Sequence, residues 1–312
     1  MTEHATLRTI DGKPVLRFER RLRHSPAKVW RAVSDPAEMA HWFPATVEAD
    51  LTPGAPMRFT FPAEAVVDGT WDGEVLEVDP PKVYMFRWNQ DVLRFELLPD
   101  GDGCRLIFTQ TIGGGRIGEL GAGRTAAGWD ACLAALTGLL DGVPVAPRED
   151  WLTPMEGYIE EFGLGFGTAT PTELHFARDL VWKPPAEVWP LLQDAPIESA
   201  PPGRVLSTNA PHELAYEWLH DGEPAGRVTW RIESDDLLGV RVELTQTVPS
   251  HLAELRARLL AEWHVRLELL FAATQGKVRP WPAERVAELA KHYAADEFRA
   301  GSTGRRETRR EE

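Results

Sequence analysis

The strongest constraint on the fold of this chain is an internal repeat. Eight of its twelve tryptophans form four pairs that occur in the same order in its two halves: Trp30 with Trp189, Trp88 with Trp218, Trp129 with Trp263 and Trp151 with Trp281. The flanking segments also agree, since SPAKVW (25–30) resembles PPAEVW (184–189) and RLIFTQTI (105–112) resembles RVELTQTV (241–248). A chain of 312 residues that repeats in this way is expected to form two similar domains.

The two copies differ in length at one place. Asp35 lies 38 positions before Gly73, whereas Asp194 lies only 9 positions before Gly203. The second copy therefore lacks about 29 residues, which in the first copy are predicted to include two strands. We predict a complete domain with an extra C-terminal helix over 1–165, a truncated domain with an extra helix over 166–298, and a disordered, charge-balanced tail over 299–312.

The pattern of polar and apolar residues predicts the order of elements in the first copy. Ser25 and Pro26 are a helix-start signal, and Asp35-Pro36 is a second one. The predicted elements are a strand over 15–23, short helices over 26–34 and 35–42, strands over 45–51, 56–61, 70–79, 83–89, 92–98 and 103–112, and a long helix over 128–142. The fold class is therefore α+β, with a long amphipathic helix across a curved antiparallel sheet, an arrangement that can enclose a pocket.

Several segments of the first copy resemble a known family. They are RRLRHSPAKVWRAVSDPAEMAHWFP (20–44), GEVLEVDPPKVYMFRW (73–88), RLIFTQTI (105–112) and GWDACLAALTGLLDG (128–142). They resemble the START-like, or SRPBCC, superfamily, and within it the branch named after the activator of the ninety-kilodalton heat-shock protein ATPase. The resemblance implies a helix-grip fold in both copies, the second being degenerate. It implies several functions, because the superfamily includes lipid carriers, hormone receptors, aromatic polyketide cyclases and many bacterial proteins without a known ligand.

Composition and charge exclude several classes of protein. Hydrophobic residues make up 43% of the chain and charged residues 26%, which is typical of a folded globular protein. The formal net charge of −14 disfavours binding to nucleic acid and docking on anionic membranes. No apolar run is long enough to insert in a membrane, and no secretory signal is visible. With two cysteines, Cys104 and Cys132, a disulfide framework is not expected, so we predict a cytoplasmic protein.

The candidate ligand-binding residues are those expected to face the pocket of the first copy. They are Trp42, Phe43, Phe59, Tyr84, Phe86, Trp88, Phe108, Gln110, Trp129 and Leu133. Gln110 is the most informative, because an amide on an inward apolar face needs a hydrogen-bond partner. That partner could be a ligand, Trp88, Tyr84 or a buried water. Gln246 occupies the matching position in the second copy, which favours a structural role.

Motifs for metal binding and catalysis are not evident. The histidines have no short ligand spacing, no phosphate-binding loop is present, and we expect no metal and no cofactor. The glycine-rich stretch from Gly113 to Gly128 is interpreted as a flexible connection. His41 and His264 are each interpreted as surface or capping residues rather than general acids or bases.

Three functions follow as hypotheses. The first is non-catalytic binding of a small hydrophobic or amphipathic molecule in the first domain, with the second domain mainly structural. The second is a protein-interaction module of the chaperone-activator type, with a protein partner. The third is a cyclase-type or hydrolase-type enzyme, which would need two titratable groups converging on the pocket.

Overall fold

The computed structural model describes residues 4–63, 70–193 and 196–307. The chain divides between Phe162 and Gly163 into two compact units. Within the described residues, each unit contains one antiparallel sheet, of eight strands in the first unit and six in the second. The predicted α+β class with large antiparallel sheets is therefore confirmed.

The first unit contains the whole predicted order of elements and adds one strand and one helix to it. Its strands are β1 (Thr6–Ile10), β2 (Lys13–Leu22), β3 (Thr46–Ala49), β4 (Pro56–Thr60), β5 (Thr70–Asp79), β6 (Val83–Trp88), β7 (Asp91–Asp100) and β8 (Gly103–Thr111). Its helices are α1 (Pro26–Ser34), α2 (Pro36–Met39), α3 (Gly115–Leu120), α4 (Ala122–Asp141) and α5 (Leu152–Glu161). The strand order is β1-β2-β8-β7-β6-β5-β4-β3.

The added strand, β1, forms a hairpin with β2 that was not predicted from the sequence. Ile10 pairs with Lys13, so only Asp11 and Gly12 form the turn. Both turn residues have positive φ, 50° and 73°. Asp-Gly is a preferred pair for this type of two-residue turn, so the hairpin signal was present in the sequence.

The added helix, α3, corrects the interpretation of the glycine-rich stretch as a flexible connection. A Cβ atom on Gly118 would lie 1.8 Å from the carbonyl oxygen of Gly113. The glycine is therefore needed for close packing of α3 against the chain that precedes it. After α3, the helix α4 begins at Ala122, and its buried residues include Trp129, Leu133 and Leu136. This buried face agrees with the predicted one.

The second unit follows the same order with fewer strands. Its strands are β9 (Thr168–Ala169), β10 (Glu173–Asp179), β11 (Pro202–Asn209), β12 (Glu213–His220), β13 (Glu223–Asp235) and β14 (Gly239–Thr247). Its helices are α6 (Pro185–Gln193), a 3-10 helix (Ser250–Leu255), α7 (Arg256–Thr274) and α8 (Ala283–Glu307). The strand order is β11-β12-β13-β14-β10-β9. Among the described residues, β11 is an edge strand, whereas β5 in the first unit pairs with β4.

The core of the second unit is rich in tryptophan. Trp218 on β12, Trp230 on β13 and Trp263 on α7 are fully buried. The helix α8 contributes Leu289 and Tyr293, which are also buried. The helix α8 spans Ala283–Glu307 and so includes the first part of the segment over 299–312 that was predicted to be a tail. Residues 308–312 of that segment lie outside the described part of the chain. None of the described helices is long and apolar enough to cross a membrane.

Candidate functional site

The residues predicted to line a pocket in the first unit pack against one another as an aromatic cluster. Phe43 follows α2, Phe59 lies on β4, Trp88 on β6 and Trp129 on α4. The ring centroid of Trp88 lies 5.1 Å from that of Phe43 and 5.0 Å from that of Phe59. Phe43 is also 5.7 Å from Trp129. Elements far apart in the sequence therefore bring these aromatic rings to one place.

The inner end of the cluster, formed by Tyr84, Phe86, Phe95 and Phe108, is closed to solvent. These four side chains are at most 1% exposed, and Leu133 on α4 is equally buried. The Phe108 ring lies 4.6 Å from Phe95 and 4.4 Å from Trp129. Burial also raises the pKa of the Tyr84 phenol above its usual range. The inner end is thus part of the hydrophobic core of the first unit.

The outer end of the cluster, formed by Phe61, Trp71 and Trp88, is accessible. All three side chains are only half-buried. Phe61 lies 5.2 Å from Trp71 and 5.8 Å from Trp88. The indole Nε1 of Trp88 is buried, and none of the described residues accepts a hydrogen bond from it. Of these three residues only Trp88 was predicted as a site residue from the sequence, although Phe61 and Trp71 also lie on strands or strand ends with alternating apolar residues.

Trp42 and Phe43, which follow the second short helix, lie at one side of the aromatic cluster. The Nε1 atom of Trp42 donates to the carbonyl oxygen of Ala32 at 2.8 Å. Asp35 starts α2 by accepting a hydrogen bond from the backbone N–H of Ala37 at 2.9 Å. The helix start and the indole hydrogen bond together fix the direction of this segment.

Gln110 is bonded to protein at both ends of its amide. Its Oε1 accepts a hydrogen bond from Nε1 of Trp129. Its Nε2 donates to Oδ2 of Asp91 at 2.5 Å, and Oδ1 of Asp91 accepts the backbone N–H of Gly113 at 2.7 Å. Neither partner of Gln110 was among those considered from the sequence. The arrangement favours a structural role for Gln110 in linking α4 to the sheet.

Asp91 is a site residue that was not predicted from the sequence. Burial raises the pKa of its carboxyl group, while hydrogen bonds from Gly113 and Gln110 and the charge of Arg124 oppose that rise; the net pKa is above its usual range. Asp91 begins β7 directly after the tight turn at Asn89, a residue with a positive φ of 56°. Aspartate is common at turns because its side chain bonds to the turn backbone. The sequence therefore did not indicate that Asp91 bonds to Gln110.

We expect Asp91→Ala to lower the free energy of unfolding of the first unit by about 2 kcal/mol, because it leaves two part-buried N–H donors without their acceptor. Urea denaturation measures the change. Asp102→Ala, at an exposed position in the turn between β7 and β8, is the control and should change little. Equal stability of the two variants would show that the Asp91 hydrogen bonds do not stabilise the fold.

His264 in the second unit corrects its interpretation as a surface residue. It is 4% exposed, and its Nδ1 lies 2.9 Å from the hydroxyl oxygen of Tyr293. Its Nε2 lies 3.3 Å from Oε1 of Glu268 on the same helix. Burial lowers the pKa of His264, and it is the largest of several causes. The burial of His264 could not be predicted from its neighbours in sequence, because its partner Tyr293 lies on α8, 29 residues further along the chain.

The described residues contain no group of three or more His, Cys, Asp or Glu side chains that could hold a metal ion. Cys104 and Cys132 are free thiols, and burial raises the pKa of both, to about 11 and about 12. In the aromatic cluster, the described side chains provide ring stacking and the indole donor of Trp88.

Comparisons with known proteins agree with the family resemblance of the first copy. Residues 23–141 match the family model described as Activator of Hsp90 ATPase homolog 1-like protein. This stretch lies wholly within the first unit, and the match confirms the resemblance predicted for that unit. The second unit lies outside the matched range. No curated protein matches this chain at a significant level.

Several solved structures are similar to this chain. A conserved protein of unknown function from Enterococcus faecalis is 20% identical, with a TM-score of 0.44, and the alignment covers 51% of this chain and 90% of that one. CalU16 from Micromonospora echinospora is 19% identical, with a TM-score of 0.40 and coverage of 52% and 96%. DynU16, a protein in the dynemicin biosynthetic locus, is 19% identical, with a TM-score of 0.39 and coverage of 83% and 98%.

Proposed function

We propose, on the premise that residues 23–141 form a domain of the Activator of Hsp90 ATPase homolog 1-like family, that the first unit binds a small molecule without changing it chemically. The fold of this family commonly serves ligand binding or protein interaction. The ligand is a flat, apolar molecule that carries one hydrogen-bond acceptor. It binds at the outer end of the aromatic cluster, where the rings of Phe61, Trp71 and Trp88 are accessible.

The unpartnered indole N–H of Trp88 carries the proposal. A buried N–H without an acceptor costs roughly 1–3 kcal/mol, so such groups are rare in native proteins unless something fills the place. Here the donor lies among aromatic rings, which offer no strong acceptor. An oxygen on a bound ligand would satisfy it.

The geometry of the neighbouring rings supports a flat ligand. The ring planes of Phe59 and Phe61 make angles of 24° and 25° with that of Trp88. Such nearly parallel planes favour stacking of another flat ring system, and each aromatic pair contributes about 0.5–1.5 kcal/mol beyond its buried area. The apolar body of the ligand would thus provide affinity, and the acceptor would set its orientation.

The matching tryptophan of the second unit provides an internal comparison. Trp218 is fully buried, and its Nε1 donates to the carbonyl oxygen of Thr247 at 2.9 Å. An indole at this position can therefore be satisfied by the protein itself. In the described part of the first unit no residue accepts from the Trp88 indole, which supports a binding role for Trp88 rather than a requirement of the fold.

Two related probes test the proposal. Fluorenone and fluorene share one flat ring system, but only fluorenone has a carbonyl acceptor. We expect the full chain to bind fluorenone about 3-fold to 10-fold more tightly than fluorene in equilibrium dialysis, the effect of one hydrogen bond. Trp88→Phe keeps an aromatic ring and removes the donor, so it should abolish this preference.

Trp30→Phe is the matched control. Trp30 is half-buried in the same unit, and its ring contacts Tyr84 rather than Trp88. This variant should keep the preference for fluorenone. If the wild-type chain binds both probes equally, or if Trp88→Phe retains the preference, the proposed role of the indole N–H is wrong.

A second candidate function is a protein-interaction module. It is favoured by the burial of nine of the ten predicted lining residues, which together fill much of the interior of the first unit. The net charge of −14 suits a partner with a basic surface. Suppose that the wild-type and Trp88→Phe chains both capture a basic protein in a pulldown, and that neither chain binds fluorenone or fluorene. That result would favour protein interaction over small-molecule binding.

A further inference from the structure

The strand β11 of the second unit is the counterpart of β5 in the first unit. Each lies beside the strand that carries one tryptophan of a repeated pair, β12 or β6. Val205 on β11 is opposite Tyr216, two residues before that tryptophan. Val75 on β5 is opposite Phe86, again two residues before it. Both strands also shift register directly after this valine, so Val205 and Val75 occupy equivalent places in the two sheets.

The two valines have different surroundings. Val75 is fully buried, its backbone N–H donates to the carbonyl oxygen of Ala55 at 2.9 Å, and its carbonyl oxygen accepts the N–H of Gly54 at 2.8 Å. Ala55 and Gly54 fall within 36–72, where the second copy is shorter by about 29 residues. Val205 is 57% exposed, and within the described residues no strand lies beyond β11. Its N–H and carbonyl oxygen therefore face an open edge of the sheet.

The strand β11 has few of the features that protect edge strands from pairing, which are short length and charged side chains. It has eight residues (Pro202–Asn209), and its single charged side chain, Arg204, donates from Nη2 to Oε1 of Glu217 at 2.8 Å. Leu206 beside Val205 is apolar and 39% exposed. The register shift does not prevent pairing, because β5 has the same shift and pairs with β4. In a chain of net charge −14, β11 is thus a nearly neutral edge.

We propose that β11 is a dimer interface, at which the β11 strands of two copies of this chain pair antiparallel about a two-fold axis. With the axis at Val205, its N–H donates to the carbonyl oxygen of Val205 in the second copy, which returns the same bond. A residue that presents both groups to an edge is thus complementary to itself, and the assembly is closed. Arg204 then lies opposite Leu206 of the second copy, so no like charges face each other. This interface is independent of the proposed function of the first unit.

Sedimentation equilibrium of the full chain tests the proposal. We expect a reversible dimer with a dissociation constant on the order of 10–100 μM, because pairing along one strand is a small interface. Val205→Lys places two ammonium groups opposite each other and should weaken the dimer about tenfold or more. Val205 is exposed in the single chain, so this variant should remain folded. Ile10→Lys is the matched control, because Ile10 is 52% exposed on β1, an edge strand of the other sheet, and it should leave the dimer unchanged.

Hydrogen exchange locates the interface without any variant. As the concentration rises through the dissociation constant, exchange of the backbone amides of β11 should slow, whereas exchange in β1 should not change. The proposal is overturned if the wild-type chain stays monomeric up to the highest concentration, if Val205→Lys dimerises like the wild type, or if exchange in β11 does not depend on concentration. A dimer that Ile10→Lys disrupts and Val205→Lys does not would also overturn it, because the interface would then lie at the edge of the other sheet.

Discussion

Replacing Phe108 by alanine is expected to lower the free energy of unfolding of the first unit by about 3–5 kcal/mol. Phe108 is fully buried on β8, and its ring contacts Phe18, Phe95 and Trp129 at centroid distances of 5.7, 4.6 and 4.4 Å. Truncation removes apolar burial and leaves a cavity that surrounding rings cannot easily fill. Urea denaturation measures the loss.

Trp71→Ala is the comparison that separates the two ends of the aromatic cluster. Trp71 is half-buried, so its removal should cost much less stability than removal of Phe108. It should instead weaken fluorenone binding, since Trp71 belongs to the outer end. A large loss of stability in Trp71→Ala, or a small one in Phe108→Ala, would contradict the division into a structural inner end and a binding outer end.

Acid is expected to destabilise the second unit through Glu268. Burial raises the pKa of this carboxyl group, but hydrogen bonds with His264 and Arg285 outweigh it and lower the pKa from 4.5 to about 2. The Arg285 contact is 3.0 Å, and the Glu268 side chain is 28% exposed. A carboxyl group with a lowered folded-state pKa stabilises the fold above its unfolded-state pKa, and this contribution is lost as the pH falls. We expect a loss of about 2 kcal/mol between pH 6 and pH 3.

The variant Glu268→Gln isolates this contribution. It cannot ionise, so the stability difference between wild type and variant should shrink as the pH falls from 6 to 3. Scanning calorimetry measures it, and the transition that the variant shifts is that of the second unit. Glu288→Gln, at an exposed position on α8, is the control and should leave the pH dependence unchanged. A difference that stays constant with pH would mean that the pKa of Glu268 is not lowered.

The buried faces of the regular elements could be predicted from the sequence. Trp129 and Leu133 were expected to face the sheet because of helical spacing, and both are buried. The strand β6 was expected to place Tyr84, Phe86 and Trp88 on one face, and all three join the aromatic cluster. Periodicity identifies such residues because burial of a face depends on local spacing alone.

Contacts between distant residues could not be predicted in the same way. The bond from Gln110 to Asp91 depends on the register of β7 and β8, which the local pattern does not fix. The burial of His264 depends on Tyr293, which α8 brings to α7. Whether a polar side chain is free or bonded is thus decided by tertiary structure, and candidate site residues chosen for polarity are the least secure.

The repeated tryptophan pairs also indicate which tertiary hydrogen bonds the two units share. Nε1 of Trp263 donates to Oε1 of Gln246 at 2.6 Å, the same bond that joins Trp129 to Gln110 in the first unit. The shared order of elements and this shared internal bond are consistent with the internal repeat seen in the sequence. The position of Asp91 is taken in the second unit by Gly226, judged from the strand register. Among the described residues, none bonds to Nε2 of Gln246.

The central claim, that the free indole N–H of Trp88 meets a ligand, has a direct measurement. In ¹H–¹⁵N spectra of the full chain, each tryptophan gives one indole signal, and Trp88→Phe and Trp218→Phe assign the two that matter. Addition of fluorenone is predicted to shift the Trp88 signal and to leave that of Trp218, which already donates to Thr247, in place. A Trp88 signal that stays unchanged at saturating fluorenone would contradict the claim.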